Sequence, residues 1–281
     1  MSARGLGLDL RVELSIATEL ARAAGAALRR HRAGPLEIGR KARGEIVTAA
    51  DLESDRIIRD GLARAFASDA VYSEETVDTR ARLTAHRVWI VDPLDSTSNF
   101  AAGGDEYSVS IGLAVDGQAV LGAVYCPARD ELVAGGRGLG VTLNGRPVGV
   151  SHARHLATAR LAVSRKEWQR GLADQCGGLS ITPRASLAAK LARVAAGLDD
   201  GVFTAVPRKE WGTCAGVALV LAAGGVATLL DGTPIIFNRP ELKQPLGMLA
   251  AGPELHPILL RWLGRRLPAL TTSGEGGPRR D

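Results

Sequence analysis

The apolar residues near the start of the chain recur with the period of an α-helix. Between Leu10 and Leu28 they lie three or four positions apart, which predicts an amphipathic helix over residues 9–30. Similar spacing predicts a second helix over residues 51–66. Each helix is therefore expected to pack one apolar face against a core.

The period changes after residue 66. Residues 88–91 (VWIV) form a short continuous apolar run, and residues 109–115 alternate as a half-buried strand does. An Asp-Gly pair at 116–117 predicts a hairpin into a strand over 119–126, and an Asn-Gly pair at 144–145 predicts another turn. The first half of the chain is thus predicted to be helices followed by an antiparallel meander.

Strands and helices alternate in the second half. Predicted strands lie at residues 161–164, 202–203 and 226–230, and predicted helices at 187–196, 213–223 and 254–265. We place a boundary between two lobes near residue 150, which gives domains over residues 1–150 and 151–270 and a flexible tail over 271–281. The glycine-rich residues 135–140 do not join a strand to a helix and are predicted as a loop.

The composition is that of a folded protein without a membrane segment. Apolar residues make up 46% of 281 residues and charged residues 23%, which excludes global disorder. No apolar run approaches the roughly 18 residues of a membrane span, and the N-terminus has no hydrophobic signal core. We therefore expect a soluble, cytoplasmic protein. Its three cysteines lack paired spacing and are predicted to be buried thiols.

The net charge of +5 comes from scattered arginines rather than from a basic stripe. The chain has five lysines and thirty arginines, and no aromatic residues are interleaved with a basic run. Polymeric nucleic acid and membranes are therefore not expected as partners. A basic balance does favour an anionic small-molecule substrate.

Candidate chemistry is concentrated in residues 73–100, which read SEETVDTRARLTAHRVWIVDPLDSTSNF. Asp92 ends a predicted strand, Pro93 fixes the backbone, and Asp95 returns in the turn that follows. Two carboxylates directed at one point repel each other unless a cation lies between them. Oxygen ligands without a Cys or His pattern favour Mg²⁺ or Mn²⁺ over zinc.

A structural role for these residues is the alternative, because Asp92 and Asp95 could also form Asx turns and cap a helix. The residues Ser96, Thr97 and Ser98 follow directly and place backbone N–H groups at a predicted helix start, which favours a bound phosphate. This combination favours the metal interpretation.

These motifs resemble the signature of the lithium-sensitive inositol monophosphatase superfamily, which includes fructose-1,6-bisphosphatase and the 3′(2′),5′-bisphosphate nucleotidases. The S-E-E and W-I-V-D-P-L-D-S-T-S-N-F segments carry the resemblance, and residues 45–51 (EIVTAAD), 143–148 (LNGRPV) and 209–225 extend it over nearly the whole chain. The resemblance implies an α/β fold, a layered α/β/α/β/α sandwich. It assigns the metals to the first lobe and closure of the active site to the second. Homodimers are common in the family.

The resemblance also implies a role for each matching residue. Glu74, Asp92, Asp95 and the carbonyl of Leu94 match the positions that hold the metals. Asp51 and Thr97 match the pair that orients and activates the attacking water, with Glu74 assisting, and the N–H groups of Ser96 and Thr97 match the phosphate cradle. The implied reaction is Mg²⁺-dependent hydrolysis of a phosphate monoester by in-line displacement, without a covalent enzyme intermediate.

The sequence departs from the family pattern at two positions. Ser96 stands where the family has glycine, which is unfavourable if the backbone there is left-handed. Gly212 follows Trp211 where the family has an aspartate that completes the second metal site. Glu210 or an additional water is a candidate substitute for that missing carboxylate.

Three functions are consistent with these residues. Ser164, Arg165 and Lys190 match nucleotidase positions that contact a second phosphate and the nucleoside, which favours a 3′-phosphoadenosine 5′-phosphate phosphatase, although Lys190 could equally be a surface lysine on a helix. The Asn99-Phe100 pair favours an inositol-1-phosphate or sugar-phosphate phosphatase. Gly212 favours a non-catalytic relative that binds a phosphorylated ligand.

Overall fold

The computed structural model describes residues 9–40 and 46–266 of the chain. Its α-helices are α1 (Arg11–Arg32), α2 (Ala49–Ala65), α3 (Thr97–Ala101), α4 (Arg165–Glu167), α5 (Ala173–Gln175), α6 (Leu187–Ala195), α7 (Cys214–Ala222) and α8 (His256–Arg266), and a 3-10 helix (Ala81–Thr84) and a π-helical segment (Trp168–Leu172) are also present. Its strands are β1 (Ile38–Arg40), β2 (Ile46–Thr48), β3 (Ala70–Ser73), β4 (Arg87–Asp95), β5 (Ser108–Val115), β6 (Gln118–Cys126), β7 (Glu131–Gly136), β8 (Gly140–Leu143), β9 (Arg146–Val148), β10 (Arg160–Ser164), β11 (Ser180–Arg184), β12 (Gly201–Thr204), β13 (Val226–Leu229) and β14 (Met248–Ala251).

The strands form two large sheets. The first has seven strands in chain order from β3 to β9, and only the β3–β4 pair is parallel. The second has the order β11-β10-β12-β14-β13, with β10 parallel to both of its neighbours and the other pairs antiparallel. Strands β1 and β2 pair antiparallel as a separate two-stranded sheet.

Helices cover these sheets in alternating layers. Helices α1 and α2 pack on one face of the seven-stranded sheet, α6 and α7 fill the space between the two sheets, and α8 covers the outer face of the five-stranded sheet. This is the expected α/β/α/β/α sandwich. No helix in the described part of the chain is long and apolar enough to span a membrane.

Two glycines allow α7 to lie directly on the first sheet. Gly112 and Gly122 are cross-strand partners on β5 and β6. A Cβ at Gly112 would lie 2.6 Å from the backbone nitrogen of Ala215, and one at Gly122 would lie 2.2 Å from its carbonyl oxygen. The N-terminal end of α7, which follows Gly212, is therefore held directly on β5 and β6, and β5 pairs with β4, the strand that carries Asp92 and Asp95.

Most predicted elements are present, with ends shifted by a few residues. The glycine-rich residues 135–140 form the predicted loop only at 137–139, which make the turn of a hairpin, while Gly135 and Gly136 complete β7 and Gly140 begins β8. A Cβ at Gly135 would lie 2.2 Å from the carbonyl oxygen of Gly140, so close strand pairing explains a glycine there. Both sides of residue 150 contribute to the central core, and the division into two lobes stays a prediction. The predicted tail over 271–281 lies outside the described residues.

A buried histidine should make stability depend on pH. His256 on α8 is 5% exposed, and its Nε2 lies 3.0 Å from Thr228 Oγ1. Burial lowers the pKa of His256 below its usual value of 6.5. As the pH falls below about 6.5, the histidine is therefore protonated in the unfolded chain before it is protonated in the folded protein. Between these two pKa values the free energy of unfolding decreases by up to about 1.4 kcal/mol per pH unit.

We expect His256→Gln to flatten the decrease in unfolding free energy between pH 7 and pH 5. Denaturant unfolding at several pH values measures this slope, and the exposed His155→Gln serves as the control. Equal slopes in the parent protein and in His256→Gln would contradict the prediction.

Candidate active site

Strand β4 delivers the central carboxylate of the site. Asp92 is 3% exposed. In the pairing of β4 with β5, Asp92 lies opposite Ser110 and Asp95 lies opposite Ser108, and the register is irregular between these two pairs. Three positions on β4 thus correspond to two on β5, so this bulge keeps both aspartates in phase with one face of the sheet. Glu74 follows β3, and its backbone N–H donates to Val91 O at 3.2 Å.

Glu74, Asp92 and Asp95 line one cavity of about 780 Å³. Burial raises the pKa of Asp92 well above its usual range, and the neighbouring carboxylates of Glu74, Asp95 and Asp51 raise it further. A buried carboxylate whose pKa is raised by neighbouring negative charges is stabilised in its ionised form by a cation. The charge pattern therefore defines a cation-binding end of the cavity.

One face of α2 supports the acidic segment. Asp51, Ser54 and Asp55 lie at positions i, i+3 and i+4 of this helix and are buried. The Ser54 hydroxyl donates to the carbonyl of Pro93 at 2.7 Å, and the Ser73 hydroxyl donates to Asp55 Oδ1 at 2.5 Å. Sequence analysis found only Asp51 on this face, although the helical spacing of the three polar residues was a usable signal.

Asp51 and Thr97 form the predicted hydroxyl–carboxylate pair. The Thr97 hydroxyl donates to Asp51 Oδ1 at 2.9 Å, and the carbonyl of Leu94 lies 3.1 Å from the same hydroxyl. Asp51 Oδ2 accepts from both the backbone N–H and the hydroxyl of Thr48 at 2.7 Å. With its proton directed to Asp51, the oxygen of Thr97 is available to accept a hydrogen bond from a water in the cavity.

Ser96 has the left-handed backbone that the family glycine suggested. Its φ is 76° and its ψ is 46°, and its side chain makes no capping hydrogen bond to α3. A residue with a Cβ is unfavourable in this region by roughly 1–2 kcal/mol. Ser96 and Thr97 line the cavity at the start of α3, where backbone N–H groups have no acceptor within the helix.

Replacing Ser96 by glycine should stabilise the protein by about 1 kcal/mol, because glycine adopts positive φ without steric cost. Denaturant unfolding of Ser96→Gly measures the change. Ser98→Gly is a matched control two residues later, inside α3, where glycine should instead reduce stability. Equal losses in both variants would show that the strain at Ser96 has no energetic consequence.

Asp95 also binds the start of α6. Its Oδ2 accepts from the Ser186 hydroxyl at 2.6 Å and from the backbone N–H of Ala188 at 2.8 Å. Ser186 Oγ lies 2.9 Å from Ser108 Oγ, so the contact connects two strands of the seven-stranded sheet to the start of α6. One oxygen of Asp95 is therefore engaged by the protein itself.

Gly212 lies beside Asp92, as its position in the sequence implied. A Cβ on Gly212 would be 3.9 Å from Asp92 Oδ2 and 3.9 Å from the carbonyl oxygen of Lys209, so there is room for a side chain. Glu210 does not fill that space. It is fully buried, and its carboxylate accepts from the backbone N–H groups of Asn238 and Arg239 at 2.7 and 3.0 Å. The suggestion that Glu210 replaces the missing carboxylate is therefore wrong.

The oxygen ligands at the acidic end of the cavity suit a hard cation, but they do not form a complete set of metal ligands. Within residues 9–40 and 46–266, no three His, Cys, Asp or Glu side chains are arranged as a metal-binding group. The engaged oxygen of Asp95 and the absent side chain at Gly212 both reduce the set. Carboxylate and carbonyl oxygens at Glu74, Asp92 and Leu94 are nevertheless the ligand types that Mg²⁺ prefers. The donor types at the Glu74–Asp92 side therefore suit a hard cation.

The residues predicted to contact the remainder of the substrate also line this cavity. The Ser164 hydroxyl oxygen caps α4 by accepting a hydrogen bond from the backbone N–H of Glu167 at 3.5 Å. Arg165 forms an ion pair with Glu106. Lys190 is 1% exposed rather than a surface lysine, and its ammonium donates to the carbonyls of Arg184 and Ala185 at 3.2 Å. Burial lowers the pKa of Lys190 to about 8.

Several cavity residues were not found from the sequence. They come from segments far apart in the chain and include Arg40, Arg208, Lys209 and Lys243. Arg208 forms an ion pair with Glu167, and Lys209 Nζ lies 5.0 Å from the ring centroid of Trp211. Scattered single basic residues carry no spacing pattern, so only the fold reveals that they meet.

The layered sandwich and its cavity, with acidic residues at one end and basic residues beside them, are the features to compare with known proteins. The chain belongs to the inositol monophosphatase family, whose model matches residues 9–264. Members of this family are metal-dependent, and phosphorylated small molecules fit as substrates of this chain.

Known proteins with related sequences carry different names. The chain is 33% identical over 264 residues to an inositol-1-monophosphatase of Synechocystis sp., which covers 88% of this chain and 91% of that protein. It is 36% identical over 220 residues to a 3′-phosphoadenosine 5′-phosphate phosphatase of Mycobacterium bovis, and the match covers 75% of this chain and 79% of that protein. The structure of inositol monophosphatase from Anabaena (Nostoc) sp. matches with a TM-score of 0.76 at 32% identity, covering 93% of this chain and 100% of that one. The chain is therefore a phosphatase, a hydrolase of this family.

Proposed function

We propose that the protein is a Mg²⁺-dependent phosphatase whose preferred substrate is 3′-phosphoadenosine 5′-phosphate. The observation that carries this proposal is the distribution of charge in the cavity. Glu74, Asp92 and Asp95 lie at one end, while Arg165 and Lys190 line the same space. A substrate with a phosphate at each end of a nucleoside has charges that suit both regions. The relative from Mycobacterium bovis, named for this reaction, agrees with the choice.

The side chains of the site have distinct tasks in such a reaction. Thr97 and Asp51 hold the attacking water, because the Thr97 proton is directed to Asp51 and leaves the hydroxyl oxygen as an acceptor. The N–H groups of Ser96 and Thr97 contact the phosphate oxygens at the start of α3. Glu74 and Asp92 would hold a magnesium ion, which would supply a lower pKa of the attacking water and neutralisation of charge on the phosphate.

A phosphate-release assay tests the proposal. We would compare 3′-phosphoadenosine 5′-phosphate, adenosine 3′-phosphate, inositol-1-phosphate and fructose 1,6-bisphosphate with Mg²⁺, with Li⁺ as inhibitor and with excess chelator. The proposal predicts the highest kcat/KM for the first substrate, inhibition by Li⁺ and no turnover with chelator. Full turnover in chelator would exclude this mechanism.

Hydrolysis of inositol-1-phosphate or another sugar phosphate is the second candidate function. It is favoured by the inositol-1-monophosphatase relatives and by Asn99, which lines the cavity and accepts from the Glu106 N–H at 3.1 Å. A higher kcat/KM for inositol-1-phosphate than for 3′-phosphoadenosine 5′-phosphate would decide for it.

A further inference from the structure

A buried arginine lies behind one wall of the active-site cavity. Arg82 belongs to the 3-10 helix Ala81–Thr84 and is only 4% exposed. Its guanidinium donates to both carboxylate oxygens of Asp78 at 2.8 and 3.1 Å and, through Nη1, to Asn238 Oδ1 at 2.8 Å. The guanidinium carbon also lies 3.9 Å from the ring centroid of Tyr72. A charge this deeply buried is stable only with such partners, so its position is fixed.

Asn238 connects this arginine to Glu210. The side-chain N–H₂ of Asn238 donates to the carbonyl of Arg82 at 2.9 Å, so the two residues hold each other through a pair of hydrogen bonds. The backbone of Asn238 is left-handed, with a φ of 59°, and its N–H donates to Glu210 Oε2 at 2.7 Å. A change at Arg82 is therefore transmitted to a buried carboxylate in two steps.

Glu210 in turn holds the segment that forms the cavity wall. Its carbonyl accepts from the backbone N–H groups of Thr213 and Cys214 at 3.0 and 2.9 Å. These bonds close a turn around Trp211 and Gly212, both of which line the cavity. With its carboxylate anchored and its carbonyl in the turn, Glu210 fixes where these two residues lie.

A second connection to the same wall runs through aromatic rings. The ring of Tyr72, which the Arg82 guanidinium covers, meets the ring of Trp211 edge to face, with centroids 5.3 Å apart and an interplanar angle of 74°. This arrangement of two rings is favourable beyond the area that it buries. Both connections from Arg82 thus end at Trp211, one through hydrogen bonds to its neighbour in the chain and one through direct ring contact.

The wall lies next to the central carboxylate of the site. A Cβ on Gly212 would be 3.9 Å from Asp92 Oδ2, and Trp211 lines the same space. Among the described residues, Arg82 and Asn238 are not part of that lining. Any effect that these two residues have on the reaction must therefore act through the wall.

We propose that Arg82 and Asn238 are positioning residues that hold Trp211 against the substrate. The ring of Trp211 offers an apolar surface to the organic part of a phosphate ester, which the charged groups of the cavity do not. The inference rests on the hydrolysis of a phosphate ester, as the proposed function does, but not on which ester is preferred.

Asn238→Gly tests the hydrogen-bonded connection with little strain. Glycine accepts the left-handed backbone, so the N–H that donates to Glu210 stays in place while both side-chain contacts with Arg82 are lost. With the best ester of the substrate panel, we expect KM to rise about tenfold and kcat to change by less than about twofold, because the catalytic carboxylates are untouched. In a Trp211→Ala background the same change should leave KM as it is, because the ring that it positions is gone.

Asn144→Gly is the matched control. Asn144 also has a left-handed backbone, with a φ of 49°, and its side chain makes two hydrogen bonds, from the N–H of Leu132 at 2.9 Å and to the carbonyl of Asp130 at 2.7 Å. Both glycine variants lose two hydrogen bonds and should lower the Tm, but only Asn238→Gly should raise KM. An equal KM in the two variants, or the same fold-change with and without Trp211, would overturn the proposal.

Fluorescence provides a readout that needs no turnover. Subtracting the emission of the Trp211→Phe form of each protein isolates Trp211 from the other three tryptophans. The isolated emission should shift to longer wavelength in Asn238→Gly, because the ring becomes more exposed, and should not shift in Asn144→Gly. An unshifted emission overturns the proposal, whereas a shifted emission without hydrolysis of any ester contradicts only the proposed function. If Asn238→Gly does not fold, Arg82→Lys takes its place, since lysine keeps the charge but has one nitrogen where the guanidinium has three.

Discussion

Asp92→Asn is expected to reduce phosphate release by on the order of 10³-fold or more, the largest effect of any single change in the site. Asparagine has the shape of aspartate but replaces one acceptor oxygen with an N–H₂ donor and removes the charge. Its remaining oxygen can still accept from the backbone N–H of Leu94, which lies 3.2 Å from Asp92 Oδ1. The local fold should therefore be kept while the cation-binding end is lost.

The same change should not destabilise the protein. Asp92 is buried beside Glu74 and Asp95, and removing its charge relieves repulsion among these carboxylates. Thermal unfolding without metal should thus give an equal or higher Tm for Asp92→Asn. The exposed Asp174→Asn changes net charge equally and serves as the activity control. Turnover of Asp92→Asn within tenfold of the parent would show that this carboxylate does not carry the reaction.

The acidic segment could be predicted because its signals are local. A continuous apolar strand, a proline and two aspartates three residues apart place Asp92 and Asp95 in one short stretch. The bulge that keeps them on one face was not predictable, since it depends on the pairing of β4 with β5. Likewise, the contact from Ser186 to Asp95 joins residues 91 positions apart, and nothing in either segment indicates the other.

Residues that act at a distance in sequence were predicted less well. Glu210 is adjacent to Trp211 in the chain, which made it a candidate ligand, yet its carboxylate holds the backbone of residues 238 and 239. A buried carboxylate turns toward the hydrogen-bond donors that lie near it. For Glu210 these donors are backbone N–H groups of a segment that begins 28 residues later in the chain. Lys243 meets Lys209 through the same kind of non-local pairing.

Restoring the family's aspartate as Gly212→Asp should increase both metal affinity and turnover. The nearest atoms to a Cβ at this position are 3.9 Å away, and Gly212 does not have a left-handed backbone, so aspartate fits without strain. The residue also precedes α7, where a negative charge is favourable. We expect the Mg²⁺ concentration for half-maximal activity to fall by about 10- to 100-fold, in the range typical of groups that support a metal site.

Stability provides a readout of the same change that does not depend on activity. Without metal, the added carboxylate lies next to Asp92 and increases the repulsion there, so Gly212→Asp should lower the Tm. With Mg²⁺ the variant should gain more in Tm than the parent, because a ligand that binds only the folded state stabilises it in proportion to its affinity. Gly212→Asn is the matched control, since it has nearly the same size and no charge. Superimposable metal titrations for the parent, Gly212→Asp and Gly212→Asn, in both Tm and activity, would show that the space beside Asp92 is not a metal-ligand position in this protein.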